Sequence, residues 1–238
     1  MSGPWRLAVE SVGKAFSGRP VLVSASLWAA PGSVTCLVGR NGCGKTTLLR
    51  IAAGLLRADF GVVIYEGERR IRPRLHRLAE NGLFFLPERG LLLSALTVGD
   101  HIRAASRRAP GAAAAAVKLL GVDHLLHRRP RTLSGGERRR CELAVGLSRR
   151  PKCLLADEPF LGLDPVDREV LSRGIRQAAQ EGCAAVVTGH EVASLFGVAD
   201  YVIWMSGGST LYLGRPDEAE RHDRFRRDYL GLGGQIEG

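Results

Sequence analysis

The chain has 238 residues, enough for one large domain or two small ones, and 45% of them are hydrophobic, as is ordinary for a globular protein. Its 34 basic and 24 acidic residues give a net charge of +10, which favours anionic partners: a nucleotide, a nucleic acid or an anionic membrane surface. A GC-rich genome would account for much of the same arginine excess. No apolar run approaches the roughly 18 residues that cross a bilayer, and the N-terminus lacks a signal core. The 5 scattered cysteines indicate neither a disulfide framework nor a zinc site, so a reducing cytoplasm is expected.

Two strands are predicted at the N-terminus. Alternating and β-branched residues indicate strands over 6–10 and 21–28, with a turn over 17–20 between them. Phe16 precedes this turn. The residues alone leave two interpretations of Phe16 open, since an isolated aromatic ring can stack on a purine or pack in the core.

A phosphate-binding loop follows. Residues 39–47 read GRNGCGKTT and fit the pattern G-x-x-x-x-G-K-[ST], between an apolar strand over 34–38 and a predicted helix over 45–56. The glycines let backbone N–H groups approach phosphate oxygens, and the positive end of the helix points at the same place. Lys45 can then reach the β- and γ-phosphates, and the Thr46 hydroxyl can ligate Mg²⁺. This loop predicts phosphate binding.

The segment after the phosphate loop and its helix is predicted to contain two further strands. A strand is predicted over 62–65 and a basic surface segment over 69–80, which Pro73 interrupts. A buried strand is predicted over 82–86, and Glu88 follows it closely.

The pattern is helical from 97 to 148. Thr97 followed by Asp100 is typical of a helix start, and the alanine run over 112–116 favours helix over a low-complexity linker. Six arginines and one acid lie between Arg128 and Arg140, a run that usually forms a solvated face.

A second motif, LSGGE, lies within that arginine run at residues 133–137. One interpretation is a capping box, with Ser134 as the N-cap and Glu137 three residues later. Two successive glycines are poor helix starters, however, each costing up to about 1 kcal/mol relative to alanine. The alternative is that an anionic phosphate approaches this helix start and the Ser134 hydroxyl.

Adjacent carboxylates follow another apolar strand within residues 153–159. Asp157 would hold Mg²⁺ through water, and Glu158 would orient or deprotonate an attacking water. The alternative is a strand that runs into an acidic turn. A turn over 162–165 and a helix from about 166 to 180 come next.

The last part of the chain continues the alternation of strands and helices. A buried strand over 184–188 ends near His190, at the strand end where open α/β sheets bind ligands. The remaining predicted elements are a helix over 191–197, strands over 201–205 and 210–213, a charged helix over 216–230, and a loose end marked by Gly231, Gly233 and Gly234.

Together these motifs resemble the ATP-binding cassette ATPases, the nucleotide-binding subunits of ABC transporters. The resemblance covers essentially the whole chain, with Walker A at 39–47, the family signature at 133–137, Walker B with its glutamate at 154–158, the D-loop at 163–164 and the switch histidine at His190. The arginine-rich signature helix and the FRRDYLG segment near the C-terminus are similar to those of branched-chain amino-acid importer and lipopolysaccharide-export ATPases.

The resemblance implies a fold and its division. The expected class is α/β, with a P-loop, RecA-like core, a mainly parallel sheet, an N-terminal antiparallel β-subdomain and an inserted α-helical subdomain. The single domain over 1–238 would divide into a core at about 1–87 and 150–215, a helical subdomain at about 88–149, and a C-terminal helix and tail at 216–238.

The resemblance also implies a mechanism, with ATP and Mg²⁺ as cofactors. In this family the Walker A loop of one subunit and the signature of a second subunit enclose each ATP. The partners would be that second ATPase subunit, identical or different, and transmembrane permease subunits on the inner face of the cell membrane. Glu158, His190 and Lys45 would be catalytic, and Thr46, Glu88 and Asp157 would hold the metal. Nucleotide contacts would come from Phe16, Gly39, Asn41, Gly42, Gly44, Lys45, Thr46, Thr47, Ser134, Gly135 and Gly136.

Glu88 departs from the family pattern, which usually has glutamine at this position. A carboxylate keeps an oxygen ligand for Mg²⁺, adds negative charge and loses the amide donor. We expect function to be retained.

Two other functions compete with transport. The basic charge suits a soluble cassette ATPase that acts on nucleic acid or ribosomes. Such family members usually carry two cassettes or a long coiled coil, for which this chain has no room. A non-hydrolysing regulatory cassette is the second rival, and the intact Glu158 and His190 argue against it.

Overall fold

The computed structural model describes residues 5–231, apart from the side chains of Arg108 and Pro110. The N-terminal residues 1–4 and the predicted loose end at Gly233 and Gly234 lie outside the described residues. No helix within the described part of the chain is both long and apolar enough to span a membrane.

The described residues form one 10-stranded sheet. In chain order its strands are β1 (Leu7–Phe16), β2 (Arg19–Ala29), β3 (Val34–Val38), β4 (Phe60–Tyr65), β5 (Glu68–Arg70), β6 (Leu83–Leu86), β7 (Cys153–Ala156), β8 (Ala184–Gly189), β9 (Tyr201–Ser206) and β10 (Ser209–Gly214). Their spatial order is β5-β4-β1-β2-β10-β9-β3-β8-β7-β6.

Five neighbouring strands, β9-β3-β8-β7-β6, run parallel and form one half of the sheet. Every residue of β3, β7 and β8 is buried, as expected for parallel strands that are covered on both faces. Because these strands are parallel, the loops after β3, β6, β7 and β8 all leave the same edge of the sheet. This carboxyl edge is where the predicted phosphate loop, carboxylates and histidine meet.

The N-terminal strands form an antiparallel unit in which β1 pairs with both β2 and β4. β1 and β2 are longer than predicted, because the turn between them needs only Ser17 and Gly18, both with positive φ. The predicted turn residues Arg19 and Pro20 belong to β2.

The helices cover both faces of the sheet. They are α1 (Lys45–Ala52), α2 (Leu75–Glu80), α3 (Val98–Ala105), α4 (Pro110–Leu120), α5 (Gly135–Leu147), α6 (Pro165–Gln180), α7 (Val192–Phe196), α8 (Pro216–Arg221) and α9 (Asp223–Phe225). Helices α3 to α6 pack on one face, and α1 and α2 pack on the other.

The segment over 69–80 is more ordered than the sequence indicates. It contributes the short edge strand β5 and the helix α2, and Leu78 is fully buried under the sheet. The other residues of the segment are exposed or half-buried, so the expected surface position is confirmed for all of it except Leu78, which anchors a helix.

The predicted helices are confirmed in position, but two of them have different ends. α1 ends at Ala52 instead of 56, because Gly54 adopts a positive φ. The single charged helix predicted over 216–230 was also wrong. His222 has an extended backbone and accepts a hydrogen bond from Phe225 N–H, so it ends α8 and caps a new turn. A π-helical turn over Arg226–Leu230 completes the segment.

Candidate active site

The phosphate loop joins β3 to α1 at the carboxyl edge. Gly42 and Gly44 have φ values of +80° and +111°, which side-chain-bearing residues rarely adopt. Gly39 is needed for a different reason, since a Cβ there would lie 2.6 Å from the Met205 carbonyl oxygen. Asn41 lies exposed at the tip of the loop. The backbone is therefore shaped for the close approach of phosphate oxygens.

Lys45 is buried at the start of α1, beneath this loop. Its ammonium group donates to the carbonyl oxygens of Gly39 (2.7 Å) and Arg40 (3.3 Å). It also lies 3.2 Å from Glu158 Oε1. The cation thus links the loop after β3 to the carboxylate after β7. Thr47, the last residue of the loop motif, is half-buried on α1.

Asp157 is almost fully buried and accepts two hydrogen bonds at Oδ1. One comes from the Thr46 hydroxyl at 3.1 Å and the other from the Thr188 hydroxyl at 2.9 Å. Burial raises the pKa of this carboxyl, the two hydroxyl donors lower it, and the nearby charges of Glu158 and Glu88 raise it further. The charges of Glu158 and Glu88 thus act on the carboxyl that lies beside the Thr46 hydroxyl.

Glu158 connects the three loops of the site. Its Oε1 faces Lys45, and its Oε2 lies 3.2 Å from His190 Nδ1. Its N–H donates to the Thr188 hydroxyl at 2.9 Å. The backbone of Glu158 has φ +44°, a conformation that non-glycine residues adopt with strain and that clusters at functional sites. Only 11% of the side chain is exposed, so its carboxylate is fixed between a cation and an imidazole.

Glu88 and Phe16 lie at the margins of this network. Glu88 is exposed and lies 3.4 Å from Arg89 Nε, while its charge acts on Asp157. Phe16 is 45% exposed at the end of β1, which excludes the core interpretation of this ring. Lys14 Nζ lies 5.5 Å from the ring centroid. The exposed face of Phe16 leaves room for a stacked ring.

The signature residues form the start of α5. Ser134 is the N-cap, and its side chain and that of Glu137 make the reciprocal bonds of a capping box. The capping interpretation is therefore right for Ser134. It does not account for both glycines. A Cβ on Gly136 would lie 1.5 Å from Asp167 Oδ2 on α6, whereas a Cβ on Gly135 would meet nothing within 4 Å.

These signature residues do not join the network at the carboxyl edge. Within the described chain, Ser134 forms its hydrogen bonds with Glu137 and Arg138, which belong to its own helix start. α5 packs against α3, α4, α6 and β6. The structure thus brings together Lys45, Thr46, Asp157, Glu158 and His190, and it leaves the signature residues on a separate surface.

Arg139 is a residue of this region whose burial was not anticipated from the sequence. The arginine run was interpreted as a solvated face, yet Arg139 is 6% exposed and pairs with the buried Glu142 at 2.9 Å. It donates to the carbonyl oxygens of Pro87 (2.6 Å), Asp157 (2.8 Å) and Pro159 (3.2 Å). One guanidinium therefore connects the signature helix to the loops after β6 and β7. The i, i+3 acid was the only sequence signal for it.

Thr188 was also not anticipated, because it lies inside an apolar strand. A lone hydroxyl near the carboxyl end of a parallel strand was its only signal. Within residues 5–231, no group of three or more His, Cys, Asp or Glu side chains is placed to hold a metal ion by itself. A metal at this edge would therefore take ligands from elsewhere as well, such as hydroxyl and phosphate oxygens.

Comparison with known proteins agrees with this architecture. The family model described as "ABC transporter" matches residues 22–161, more than half of the chain. The chain belongs to the ABC transporter family. It is an ATPase of the ATP-binding cassette type, and its predicted fold class is confirmed.

Its relatives include proteins named for export. The lipopolysaccharide export system ATP-binding protein LptB of Escherichia coli strain K12 is 30% identical over 94% of this chain and 97% of the relative. The LptB of Haemophilus influenzae is 29% identical with the same coverage. A probable ABC transporter ATP-binding protein of Azorhizobium caulinodans is 32% identical over 94% of this chain and 83% of the relative.

Solved structures share the fold. An ATP-binding cassette of an ABC transporter in its ADP conformation has a TM-score of 0.84 at 22% identity, and the match covers 96% of this chain and 98% of that one. A nucleotide-free ATP-binding cassette has a TM-score of 0.82 at 22% identity, with 95% of each chain covered.

Proposed function

We propose that this protein is the energy-supplying subunit of a membrane transporter, and that it works through ATP-driven dimerisation. The observation that carries the proposal is the position of Glu158, whose carboxylate lies 3.2 Å from Lys45 Nζ and 3.2 Å from His190 Nδ1. A carboxylate held between a phosphate-binding cation and an imidazole suits the activation of a water molecule beside a phosphoryl group.

The phosphate loop would bind the β- and γ-phosphates of ATP. The backbone N–H groups of residues 39–47 and the start of α1 supply donors, and Lys45 supplies the charge. The exposed ring of Phe16 would stack on the adenine. When ATP binds, the Lys45 ammonium group would exchange its contacts with the carbonyl oxygens of Gly39 and Arg40 for contacts with phosphate oxygens.

Thr46 and Asp157 fit a Mg²⁺ ion. Their oxygens are 3.1 Å apart, and the charges of Glu158 and Glu88 add to the negative field at Asp157. When bound, the ion would neutralise charge that develops on the phosphate oxygens. Asp157 would act through water, because its Oδ1 already accepts two hydroxyl donors.

Glu158 would orient the attacking water and accept its proton, and His190 would hold Glu158 and contact the γ-phosphate. The neighbours of Glu158 support this role, because its backbone N–H donates to the Thr188 hydroxyl and its carboxylate pairs with Lys45. Such general-base assistance contributes about 10²- to 10⁴-fold to a rate.

The second wall of the ATP site would come from another cassette subunit. Ser134, Gly135 and Gly136 of that subunit would contact the γ-phosphate, with the open Gly135 allowing close approach. This role is supported by the separation of the signature residues from the phosphate loop within one chain.

ATP-driven dimerisation would be coupled to transport through contact with a permease at the inner face of the cell membrane. We place the α-helical subdomain at about 88–149, the core at about 1–87 and 150–215, and the C-terminal part at 216–238. The relatives named as lipopolysaccharide export ATP-binding proteins support a transport role.

The test is the ATPase rate of Glu158→Gln. Glutamine keeps the size of the side chain and removes its basicity, so we expect turnover to fall at least about 100-fold. Glu169→Gln is the matched control, because it makes the same change on an exposed face of α6 and should keep wild-type turnover. Wild-type hydrolysis by Glu158→Gln would refute the assignment of the base.

A further inference from the structure

The turn formed by α9 and the π-helical residues, 223–230, packs on the active site. Phe225 is fully buried, with its ring stacked on Tyr229 at 5.1 Å and set edge-on to Trp204 of β9 at 5.6 Å. Arg224 adds a cation–π contact to the Trp204 ring at 5.6 Å. We call residues 223–230 the C-terminal turn. Its aromatic base fixes the direction in which Tyr229 points.

The C-terminal turn contacts two of the three catalytic loops. The Tyr229 hydroxyl donates to the carbonyl oxygen of His190 at 2.8 Å. Arg40, in the phosphate loop, donates from Nη2 to the carbonyl oxygen of Asp228 at 3.0 Å. Both acceptors are backbone carbonyl oxygens. The two hydrogen bonds therefore constrain the backbone of the His190 loop and the backbone of the C-terminal turn.

The surroundings of the Tyr229 hydroxyl keep it protonated. Burial raises the pKa of Tyr229 to about 12, and Cys43 and Glu158 raise it in the same direction, while the Gly39 N–H opposes them. At neutral pH the group is therefore a neutral hydroxyl that can donate to His190. These neighbours also place the hydroxyl among the phosphate loop, Glu158 and the histidine.

His190 is therefore held through its backbone as well as through its imidazole ring. Gly39 N–H donates to the Gly189 carbonyl oxygen at 3.3 Å, and Tyr229 holds the next carbonyl along the chain. The ring then contacts Glu158 at 3.2 Å. Since catalytic groups must be held within a fraction of an ångström, loss of one such anchor affects the rate.

We propose that Tyr229 is a positioning residue for hydrolysis, which fixes the loop of His190 against the phosphate loop through the His190 carbonyl. The inference rests on the proposed function. It assigns to the Tyr229 hydroxyl a role in the rate of turnover and not in nucleotide binding, because this hydroxyl donates to the His190 carbonyl, whereas Lys45 and Thr46 bond to other groups.

The test compares Tyr229→Phe with Tyr229→Leu. Phenylalanine removes only the hydroxyl and keeps the stack on Phe225, so kcat should fall about three- to tenfold, the size of one net hydrogen bond. The KM for MgATP should stay within about twofold, because ground-state binding is unchanged. Leucine also removes the ring, and it should lower Tm as well as kcat.

Tyr212→Phe is the matched control. It removes the same atom from a tyrosine of β10 whose ring packs on Trp28, away from the site, and it should leave kcat unchanged. A packing role alone predicts a harmless Tyr229→Phe and a damaging Tyr229→Leu, and that pattern would overturn the inference. A raised KM with unchanged kcat in Tyr229→Phe would overturn it too.

His190→Ala separates this inference from the proposed function. If His190→Ala loses turnover while Tyr229→Phe keeps it, only the role of Tyr229 fails. If His190→Ala hydrolyses ATP at the wild-type rate, the proposed site fails, and the role of Tyr229 fails with it.

Discussion

The carboxyl edge of the parallel sheet and the start of α5 are both expected to face ATP, yet they are built differently. At the edge, Lys45, Asp157 and Glu158 bond to one another's loops, so the chain itself fixes their geometry. At the start of α5, the hydrogen bonds of Ser134 within residues 5–231 are all to its own helix start, and Gly135 faces open space. The residues of the first region are held by one another, and we propose that the second region is a surface for another molecule.

The two glycines of the signature sharpen this comparison. Gly136 is explained inside the chain, because Asp167 occupies the space that its Cβ would take, and Asp167 in turn pairs with Arg140 at 2.8 Å. Gly135 has no such neighbour. Gly136 is therefore explained by the fold, and we propose that Gly135 allows contact with a molecule outside the chain.

Among the variants that test this comparison, Gly135→Ala is expected to have the largest effect on turnover. The added methyl would keep a phosphate from the helix start, so ATP turnover should fall at least about tenfold, or 1.4 kcal/mol in the activation barrier. The fold should be unharmed, because alanine at this exposed position favours the helix by up to about 1 kcal/mol. An ATPase assay and a thermal melt measure the two effects separately.

Gly136→Ala is the matched variant for this prediction. Its Cβ would overlap the Asp167 carboxylate, so the free energy of unfolding should fall by about 1–3 kcal/mol. If Gly135→Ala destabilised the protein as much as Gly136→Ala, the start of α5 would not be the open surface described above.

The smallest effect on turnover is expected for Glu88→Gln, at the margin of the network at the carboxyl edge. Glu88 is exposed and paired with Arg89, and it influences Asp157 only through its charge. Glutamine keeps an oxygen ligand, so ATPase activity should stay within about tenfold, or 1.4 kcal/mol. Complete loss of activity would contradict this prediction and would mean that Glu88 is an essential part of the network at the carboxyl edge.

The sequence predicted the elements that carry strong local patterns. The apolar runs of β3, β7 and β8 and the glycine spacing of the phosphate loop are local features, and they placed Lys45 at the helix start after β3 and Glu158 just after β7. Parallel pairing then brings those ends to one edge. This much of the fold and the candidate site follows from pattern alone.

Features that depend on distant contacts were not predictable. Arg139 looks like its neighbouring arginines, and only the packing of α5 under the loops after β6 and β7 makes it buried. The break at His222 depends on Phe225 finding its place against Trp204. Tyr229 acquires its bond to His190 from that same packing.

The most direct test of the proposal that two chains together enclose ATP is the mass of Glu158→Gln in solution, measured by light scattering with and without ATP. Because this variant should bind ATP without consuming it, we expect the mass of a single chain in the absence of ATP and of two chains in its presence. Adding Gly135→Ala to the same variant should restore the single-chain mass with ATP. A single-chain mass of Glu158→Gln under both conditions would contradict the account.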